Sequence, residues 1–501
     1  MMTTFQRRNF IRKMTATAGA AFATPLLFSQ KPGDEERLNV TVSDPENASG
    51  RTLTTSPFSA IIGLNNDQIF AVARGGKAIS SGKAGRDDAK VFQDSIDYLA
   101  PSGGEIRITR GRYKFTKTVL IDIPVTLTGE GQNTVIVPPP DDYVFNITTT
   151  ERSPLRPNSD LLIDGTPGDN TLHGVTIQML TIDGEKAGKG LFMKRLFDCI
   201  FQNLWIQDIH RGSALHLDWW VCESNFINIH LNSTGCKETR AASIHLDNRT
   251  INNLHFNRVF TIFPESRGLQ VNGGTIIYFN DCMWHGHFPF DSIKNKRLLP
   301  GEWPTDFSTA NISMNTEELI YVKEIGYDKG LIISRPRITN NHPDYCHVVV
   351  EKGEVAILDG IIGGGAGAEA MIRAESKARM RITGNHFEGV PNFTPQVFQS
   401  NGAEAVFRDN VIEGRNKSIV LSAAQRTIIA GNRFSNSTTG ASLRLLDKGN
   451  IGCNHVIVTE NIFQEPVAKA AIQTGPLSKQ GTIIRDNFFT GNYEDQPEIT
   501  A

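Results

Sequence analysis

One short pattern returns at nearly constant distance in the middle of the chain, and it restricts the fold more than any other feature. The four segments that carry it are Leu191–Lys194, Leu215–Asp218, Ile244–Asp247 and Leu269–Asn272, whose starts lie 24, 29 and 25 residues apart. A period of this length is typical of solenoids, in which each repeat is too small to bury its own apolar face and stacks on its neighbours. The expected fold is therefore all-β, a stack of coils built from parallel strands.

Within each segment the first and third residues are aliphatic or Met, and the second and fourth are mostly polar. Strand geometry turns alternate residues to opposite faces, so the aliphatic residues point into a core and the others form two outward columns. These columns are Phe192, His216, His245 and Gln270, and Lys194, Asp218, Asp247 and Asn272. Stacked parallel strands lie about 4.8 Å apart, which places Asp218 beside Asp247. Because adjacent like charges are unfavourable without a compensating cation, proton or substrate, this face is the predicted active site.

Two sets of residues on or beside this face are candidates for function. The candidate catalytic residues are Lys194, His216, Asp218, His245, Asp247 and Arg249. The candidate substrate-binding residues are Arg211, Trp219, Trp220, Arg267, Gln270 and Asn272. The two carboxylates, Asp218 and Asp247, are also the expected ligands of a hard cation such as Ca²⁺, which prefers oxygen donors.

The first thirty residues carry the features of an export signal. Arg7 and Arg8 precede an Ala-rich apolar run from Ala16 to Phe28, and no acidic residue occurs before Asp34. This arrangement resembles a twin-arginine signal peptide. The sequence predicts that residues 1–30 are removed on export to the periplasm or beyond, and that the remaining chain does not associate with a membrane. Residues 31–86 are expected to form an N-terminal arm and linker.

An amphipathic helix is predicted from Asp87 to Leu99, with acidic residues at its start and Pro101 just beyond its end. Strand-like segments follow it directly. A single helix in front of a series of strands is what a cap on an open stack of coils requires, because it covers apolar residues that the first coil would expose.

The segment 88–113 resembles the start of the pectate-lyase-like right-handed β-helix superfamily. The matching features are Phe92–Gln93, Gly103–Ile106 and Arg110–Tyr113. The resemblance implies a single-stranded right-handed parallel β-helix over residues 87–501, with a loop insertion around 284–328, where the apolar alternation is lost. The superfamily contains polysaccharide lyases, glycoside hydrolases, epimerases, fructotransferases and phage tailspikes, so it implies carbohydrate chemistry without fixing the reaction. Its long members often trimerise, which makes a homotrimer an expected assembly.

A second repeat occurs nearer the C-terminus. Its members are Asn385, Asn410, Asn432, Asn461 and Asn487, spaced 25, 22, 29 and 26 residues apart. Each lies between two strand-like apolar pairs, where the coil must turn. Asn accepts a left-handed backbone, and its side chain can bond backbone groups of the next coil. We therefore expect a structural ladder, extended towards the N-terminus by Asn203, Asn228 and Asn257.

Charge and cysteine content exclude several partners and cofactors. The 51 basic residues nearly balance the 53 acidic ones, so no nucleic acid or anionic membrane is expected as a partner. The six cysteines include no Cys-x-x-Cys, which argues against a zinc knuckle. Buried, unpaired thiols are favoured over disulfides.

Three functions remain open on sequence alone. The favoured one is a lyase that cleaves an acidic, uronate-containing polysaccharide by β-elimination, with the Asp pair holding the cation and a Lys or His removing the proton. The second is a glycoside hydrolase or glycosyl-transferring enzyme in which the same two carboxylates divide the work. The third is a non-catalytic carbohydrate-binding or adhesion protein. In all three an outward face across several coils suits a polysaccharide partner, and Trp219 and Trp220 would offer rings to stack on sugars.

Overall fold

The computed structural model describes residues 58–100, 102–153, 171–286, 317–340, 345–364, 370–388, 396–413, 419–435, 441–464 and 471–490. The backbone of two short paired strands, Phe290–Asp291 and Lys296–Arg297, is also described. Over these residues the chain is a right-handed parallel β-solenoid, as predicted. The predicted signal peptide lies outside the described residues.

Each coil contributes strands to three parallel sheets. Sheet 1 contains Val119–Ile121, Tyr143–Ile147, Lys189–Met193, Leu215–Leu217, Ile244–Leu246, Leu269–Val271, Ile320–Val322, the first parts of Val348–Leu358 and Ala370–Thr383, Gln396–Asn401, Ile419–Ser422, Leu443–Leu446 and Ile472–Thr474. Sheet 2 contains Ala60–Asn65, Gly104–Ile108, Val125–Thr128, the first parts of Thr176–Asp183, Ile200–Ile209, Asn225–Thr234 and Asn252–Ile262, then Thr275–Asn280, Leu331–Ser334, the second parts of Val348–Leu358 and Ala370–Thr383, Glu404–Arg408, Gln425–Ala430, Asn454–Thr459 and Thr482–Arg485.

Sheet 3 completes the coil. It contains Gly111–Lys114, Thr134–Val137, the second parts of Thr176–Asp183, Ile200–Ile209, Asn225–Thr234 and Asn252–Ile262, then Met283–His285, Arg337–Asn340, Ile361–Gly364, His386–Glu388, Val411–Glu413, Arg433–Ser435, Ile462–Gln464 and Phe488–Thr490. The short strands Leu172–His173, Leu196–Phe197 and Val221–Cys222 pair between sheets 1 and 2, and the 3₁₀ turns are Gly131–Asn133 and Ser478–Gly481.

Sheet 1 aligns the four repeats that define the predicted active face. Leu191, Leu215, Ile244 and Leu269 are consecutive partners in the ladder. These aliphatic residues are completely buried, whereas the residues that follow each of them are half-buried at the outer surface. The alternation inferred from the sequence is therefore confirmed.

The interior is filled by side chains that repeat from coil to coil. Phe201, Phe226, Phe256 and Phe279 form a continuous stack inside sheet 2, with successive ring centroids 5.0, 4.5 and 4.3 Å apart. Burying one large aromatic ring per coil supplies apolar contact that no single repeat could make alone.

A column of left-handed residues marks the corner between sheets 2 and 3. It runs through Met179, Asn203, Asn228, Arg258, Asp281, Arg335, Asp359, Gly384, Asp409, Gly431, Glu460 and Asp486, with φ between 49° and 72°. One residue in this conformation lets each coil turn while both flanking strands keep their pairing.

The asparagine ladder occupies the position after this column from Asn385 onward. Asn432 is typical: its Oδ1 accepts from the backbone N–H of Asn410 at 3.0 Å, and its Nδ2 donates to the Phe407 carbonyl at 2.9 Å. The predicted structural ladder is confirmed. The left-handed residue, however, is the one before each asparagine, because the asparagine itself must turn inward to bond the neighbouring coils. Asn203 and Asn228 belong to the left-handed column and not to the ladder, while Asn257 pairs with Asn280 one position earlier.

The predicted helix is present as Asp88–Leu99. Phe92 packs against the rings of Phe115 and Tyr113, with centroids 4.8 and 5.4 Å away. Asp88 is fully buried and accepts the backbone N–H of Lys114 at 2.6 Å, which fastens the first turn of the helix to sheet 3. That the helix closes the stack stays a prediction.

The segment before the helix differs from the sequence expectation. Part of the expected arm and linker forms a three-stranded antiparallel meander of Ala60–Asn65, Gln68–Ala73 and Ala78–Lys83. Ala60–Asn65 also pairs in parallel with Gly104–Ile108 at the end of sheet 2. The linker prediction therefore does not hold for residues 60–83, whose strands are short and whose first strand is fixed by pairing with residues 46 positions away.

The predicted insertion is narrower than 284–328 at both described ends. Trp284, which is almost fully buried, and His285 lie in sheet 3, and Ile320–Val322 belongs to sheet 1. The side chains of residues 287–316 lie outside the described part of the chain. All six cysteines are buried and none forms a disulfide, as expected. Among the described residues no helix is long and apolar enough to cross a membrane.

Candidate active site

The outward face of sheet 1 brings together aromatic and imidazole rings from consecutive coils. The Tyr143 hydroxyl lies 2.7 Å from Nδ1 of His216. The His216 ring stacks on the His245 ring, with centroids 5.0 Å and planes 9° apart. Phe192 meets the other side of His216 edge-on at 5.1 Å. The two imidazoles are partners in the strand ladder, as their sequence spacing predicts.

Asp247 places its carboxylate against both imidazoles. Oδ2 is 3.6 Å from Nε2 of His216, and Oδ1 is 3.4 Å from Nε2 of His245. The Asn272 amide donates to Oδ1 at 2.8 Å and also lies 3.0 Å from Nε2 of His245. The Asp247 side chain is 40% exposed, so a ligand in solvent can reach this group.

Burial keeps both imidazoles neutral near pH 7. It lowers the pKa of His216, although Asp247 and Asp218 act in the opposite direction. Burial, together with the neighbouring His216 and Arg267, lowers the pKa of His245 to about 4 against the pull of Asp247. Burial and nearby acidic groups raise the pKa of the Tyr143 hydroxyl, which therefore stays protonated. The site pairs a protonated phenol with a neutral imidazole that can accept its proton.

Three of the predicted substrate-binding residues are bonded to this site. Gln270 Nε2 donates to Oδ1 of Asn272 at 3.1 Å, and Arg267 donates to Oε1 of Gln270 at 3.1 Å. Arg267 itself is buried, bonds Glu318 at 2.9 Å and lies over the ring of Tyr321 at 3.8 Å. Their described contacts run towards Asp247, which indicates that this chain of residues orients the carboxylate.

Lys194 and Asp218 form a second polar group, two residues after Phe192 and His216 along the chain. Lys194 Nζ lies 3.4 Å from Oδ2 of Asp218, and both are partly exposed. The Arg195 guanidinium lies 4.6 Å from the Trp219 ring centroid, so one face of that ring already carries a cation. Trp220 has a left-handed backbone and donates its backbone N–H to the Thr250 hydroxyl at 2.9 Å.

The two remaining predicted residues lie at the edges of the face. Arg211 pairs with Asp141 at 3.4 Å. Arg249 is highly exposed and pairs with Glu324 at 2.7 Å. Both arginines are engaged by carboxylates other than Asp247, so their geometry fits contact with the outer parts of a long ligand better than a role at the reacting atoms.

Tyr143 is the site residue that the sequence interpretation missed. Its strand, Tyr143–Ile147, pairs with Lys189–Met193, but the partners Phe145 and Leu191 are 46 residues apart instead of a regular coil length. Because of this long interval, the sequence pattern did not show that Tyr143–Ile147 belongs to the same series of repeats. Alternation places Tyr143 on the same face as the fully buried Phe145 and Ile147, so the pattern gave no signal that its hydroxyl reaches the outward face.

The expected calcium site does not match the geometry. Ligand atoms of His216, His245 and Asp247 lie within 4.8 Å of one another, whereas Asp218 is outside this group and faces Lys194. Ca²⁺ takes six to eight oxygen ligands, and imidazole nitrogen is a donor for transition metals. Because these residues do not fit Ca²⁺, no step of the chemistry below depends on it.

Because the pKa of His245 is lowered in the folded chain, we expect the free energy of unfolding to depend on pH. Between its unfolded value of 6.5 and its folded value of about 4, the unfolded chain binds the extra proton. The associated free energy of unfolding is therefore fully present above pH 6.5 and is lost as the pH falls towards 4, by on the order of 3 kcal/mol. Urea unfolding at several pH values should show a smaller loss in His245→Gln than in the parent chain, and parallel pH curves would contradict this assignment.

Comparison with known proteins supports the fold. The model of the right handed beta helix region matches residues 364–500. The A-module of mannuronan C-5 epimerase AlgE4 from Azotobacter vinelandii is similar at 12% identity over 81% of this chain and 97% of that one, with a TM-score of 0.43. The surface adhesin PfbA of Streptococcus pneumoniae is similar at 12% identity over 81% and 96%, with a TM-score of 0.42. A GH87 alpha-1,3-glucanase from Streptomyces thermodiastaticus is similar at 11% identity over 81% and 66%, with a TM-score of 0.44. Similarities at this level assign no activity, and a search of curated proteins found no match.

Proposed function

We propose that the protein is a polysaccharide-degrading enzyme, and that it cleaves an acidic, uronate-containing polysaccharide by β-elimination. The observation that carries the proposal is the 2.7 Å contact between the Tyr143 hydroxyl and Nδ1 of a neutral His216, on an outward face that crosses several coils. A shallow face of this kind accommodates a polymer lying across the strands.

Elimination moves one proton from C5 of the uronate to the oxygen that leaves C4. Tyr143 and His216 form a unit that can carry out both transfers. As Tyr143 oxygen takes the C5 proton, its own proton moves to Nδ1 of His216; the C–H electron pair forms the C4–C5 double bond and the C4–O bond breaks. The leaving oxygen then takes the proton from Tyr143, and His216 returns the first proton to Tyr143. The pair ends in its starting state, and positioned proton transfer of this type contributes roughly 10²–10⁴-fold to rate.

The carboxylate of the sugar must be partly neutralised before C5 becomes acidic. Lys194 is a partly exposed cation on the face, and its contact with Asp218 is long enough, at 3.4 Å, to be exchanged for a substrate carboxylate. Arg211 and Arg249 at the edges would contact acidic groups of neighbouring sugars. Export through the twin-arginine signal would bring the enzyme to polymers outside the cytoplasm.

The test is an incubation of the full chain with a panel of uronate polymers, followed by ultraviolet absorbance of the unsaturated sugar. We expect absorbance to rise with at least one polymer and to fall by about 10²-fold or more in Tyr143→Phe, which keeps the ring and removes the proton. His386→Ala, on sheet 3, is the matched control and should retain full activity. New reducing ends without absorbance would replace elimination by hydrolysis. Polymer binding without either product would identify a carbohydrate-binding protein.

A further inference from the structure

We propose that His216, His245 and Asp247 form a binding site for a divalent transition-metal ion, and that the bound ion inhibits the enzyme. The inhibitory effect rests on the proposed function, whereas binding of the ion does not. The site shares Asp247 with the calcium site expected from the sequence, but two imidazoles replace Asp218 and the class of ion is different.

Two consecutive coils of the solenoid supply the donors, His216 from one coil and His245 and Asp247 from the next. Their ligand atoms already lie within 4.8 Å of one another. Metal–nitrogen and metal–oxygen bonds of about 2.1 Å require ligand atoms no more than about 4.2 Å apart, so small side-chain rotations complete the group. Strand pairing on both sides fixes the backbone of His216 and His245, and the Asp247 backbone N–H donates to the Leu217 carbonyl at 2.9 Å, so only the side chains need to move.

The two imidazole Nε2 atoms that lie nearest the Asp247 carboxylate are the atoms that a metal would use. Nδ1 of His216 is engaged by Tyr143, while its Nε2 is buried and has no hydrogen-bond partner among the described residues. Nε2 of His245 accepts from the Asn272 amide at 3.0 Å and lies 3.4 Å from Oδ1 of Asp247, so its lone pair becomes available to an ion when the amide moves aside. Tyr143 on one imidazole and Asn272 on the carboxylate provide the outer contacts that orient metal ligands.

An ion would have to displace one existing interaction. The Asn272 amide bridges His245 and Asp247 at 3.0 and 2.8 Å, and it must rotate aside when the ion enters. Two imidazoles and one carboxylate suit Zn²⁺, Co²⁺ or Ni²⁺ and leave at least one coordination position open.

Inhibition follows from the nitrogen that the ion occupies. An imidazole with a metal on Nε2 carries its proton on Nδ1, so His216 would donate to Tyr143 and could no longer accept its proton. The ion therefore blocks the proton transfer without displacing Tyr143 or Lys194. Competing thiols are not exposed, because all six cysteines are buried.

Binding is tested by titrating the untagged full chain with Co²⁺ and recording its visible absorption. We expect one saturable equivalent, displaced by Zn²⁺, and a loss of affinity of at least tenfold in His245→Ala and in Asp247→Asn. Tyr143→Phe should weaken binding by roughly tenfold through the lost outer contact. His386→Ala is the control, because His386 lies beside Glu388 and Glu413 and is the alternative histidine–carboxylate site. Unchanged binding in His245→Ala, or loss of binding in His386→Ala, would overturn the site.

The inhibitory effect is tested by polymer cleavage in the presence of Zn²⁺. The inhibition constant should equal the dissociation constant from cobalt displacement, and a chelator should restore full activity. Activity that rises with Zn²⁺, or that is unaffected at saturating Zn²⁺, would overturn inhibition. If no polymer is cleaved the proposed function fails, while the cobalt spectrum still decides the metal site.

Discussion

Replacing His216 by alanine is expected to lower kcat on the cleaved polymer by roughly 10²–10⁴-fold, the contribution of a positioned proton-transfer group. The change removes the acceptor that lies 2.7 Å from the Tyr143 hydroxyl. Because burial raises the pKa of Tyr143, the isolated phenol is a poor base at neutral pH. The effect should therefore appear in kcat, with KM changed much less, since His216 Nε2 is buried and the substrate is held by the exposed cations.

The controls separate this loss from unfolding. His386→Ala makes the same chemical change outside sheet 1 and should leave kcat and KM unaltered. Equal melting temperatures for parent and His216→Ala would show that the coil is intact. A kcat within threefold of the parent would exclude the Tyr143–His216 pair as the proton-transfer unit.

Asn432→Leu is expected to cause the largest loss of stability among single changes in the ladder. Leucine has nearly the same size but leaves the Asn410 N–H and the Phe407 carbonyl buried without their partners. It also removes the 2.9 Å bond from Nδ2 to Oδ1 of Asn461. At about 1–3 kcal/mol for each buried unsatisfied group, the C-terminal coils should lose about 3–5 kcal/mol.

Hydrogen exchange of the strands around residues 407–412 and 456–463 measures this effect locally, because solenoids need not unfold in one step. Asn401→Leu is the matched control: Asn401 is half-buried and its side chain bonds the Glu375 carboxylate. Equal exchange rates in the two variants would show that the ladder contributes no more than an ordinary surface asparagine.

The central coils were predictable because the interval between repeats and the alternation of apolar and polar residues each determine one aspect of the geometry. The interval between Leu215 and Ile244 fixes which residues are neighbours, and alternation fixes which of them point outward. That His216 neighbours His245 follows from these two facts alone, whereas the parallel stacking of their rings does not. The Asn385 and Asn410 ladder was also visible, since asparagine at a constant interval within apolar strands has few other uses.

Other parts of the site depend on information that a repeat does not contain. Tyr143 was missed because a long irregular interval precedes the next strand. The metal-ligand prediction paired Asp218 with Asp247 by position, but the sequence could not show that Lys194 holds Asp218 while two imidazoles share Asp247. The protonation of His245 depends on how deeply its ring is buried. That depth depends on side-chain packing, which the spacing of the repeats does not specify.

The origin of these site residues on separate coils has a consequence for how the candidate site can change. Tyr143, His216, His245 and Gln270 are held on separate coils of the same sheet, so backbone pairing fixes their separations. Insertion or loss of a whole coil would shift one group relative to the next in steps of about 4.8 Å, while a point substitution changes chemistry at a fixed place. The distances between the site residues and the identity of their side chains can therefore change independently. A related protein could fit a substrate whose contacting groups are spaced differently without altering any side chain of the site.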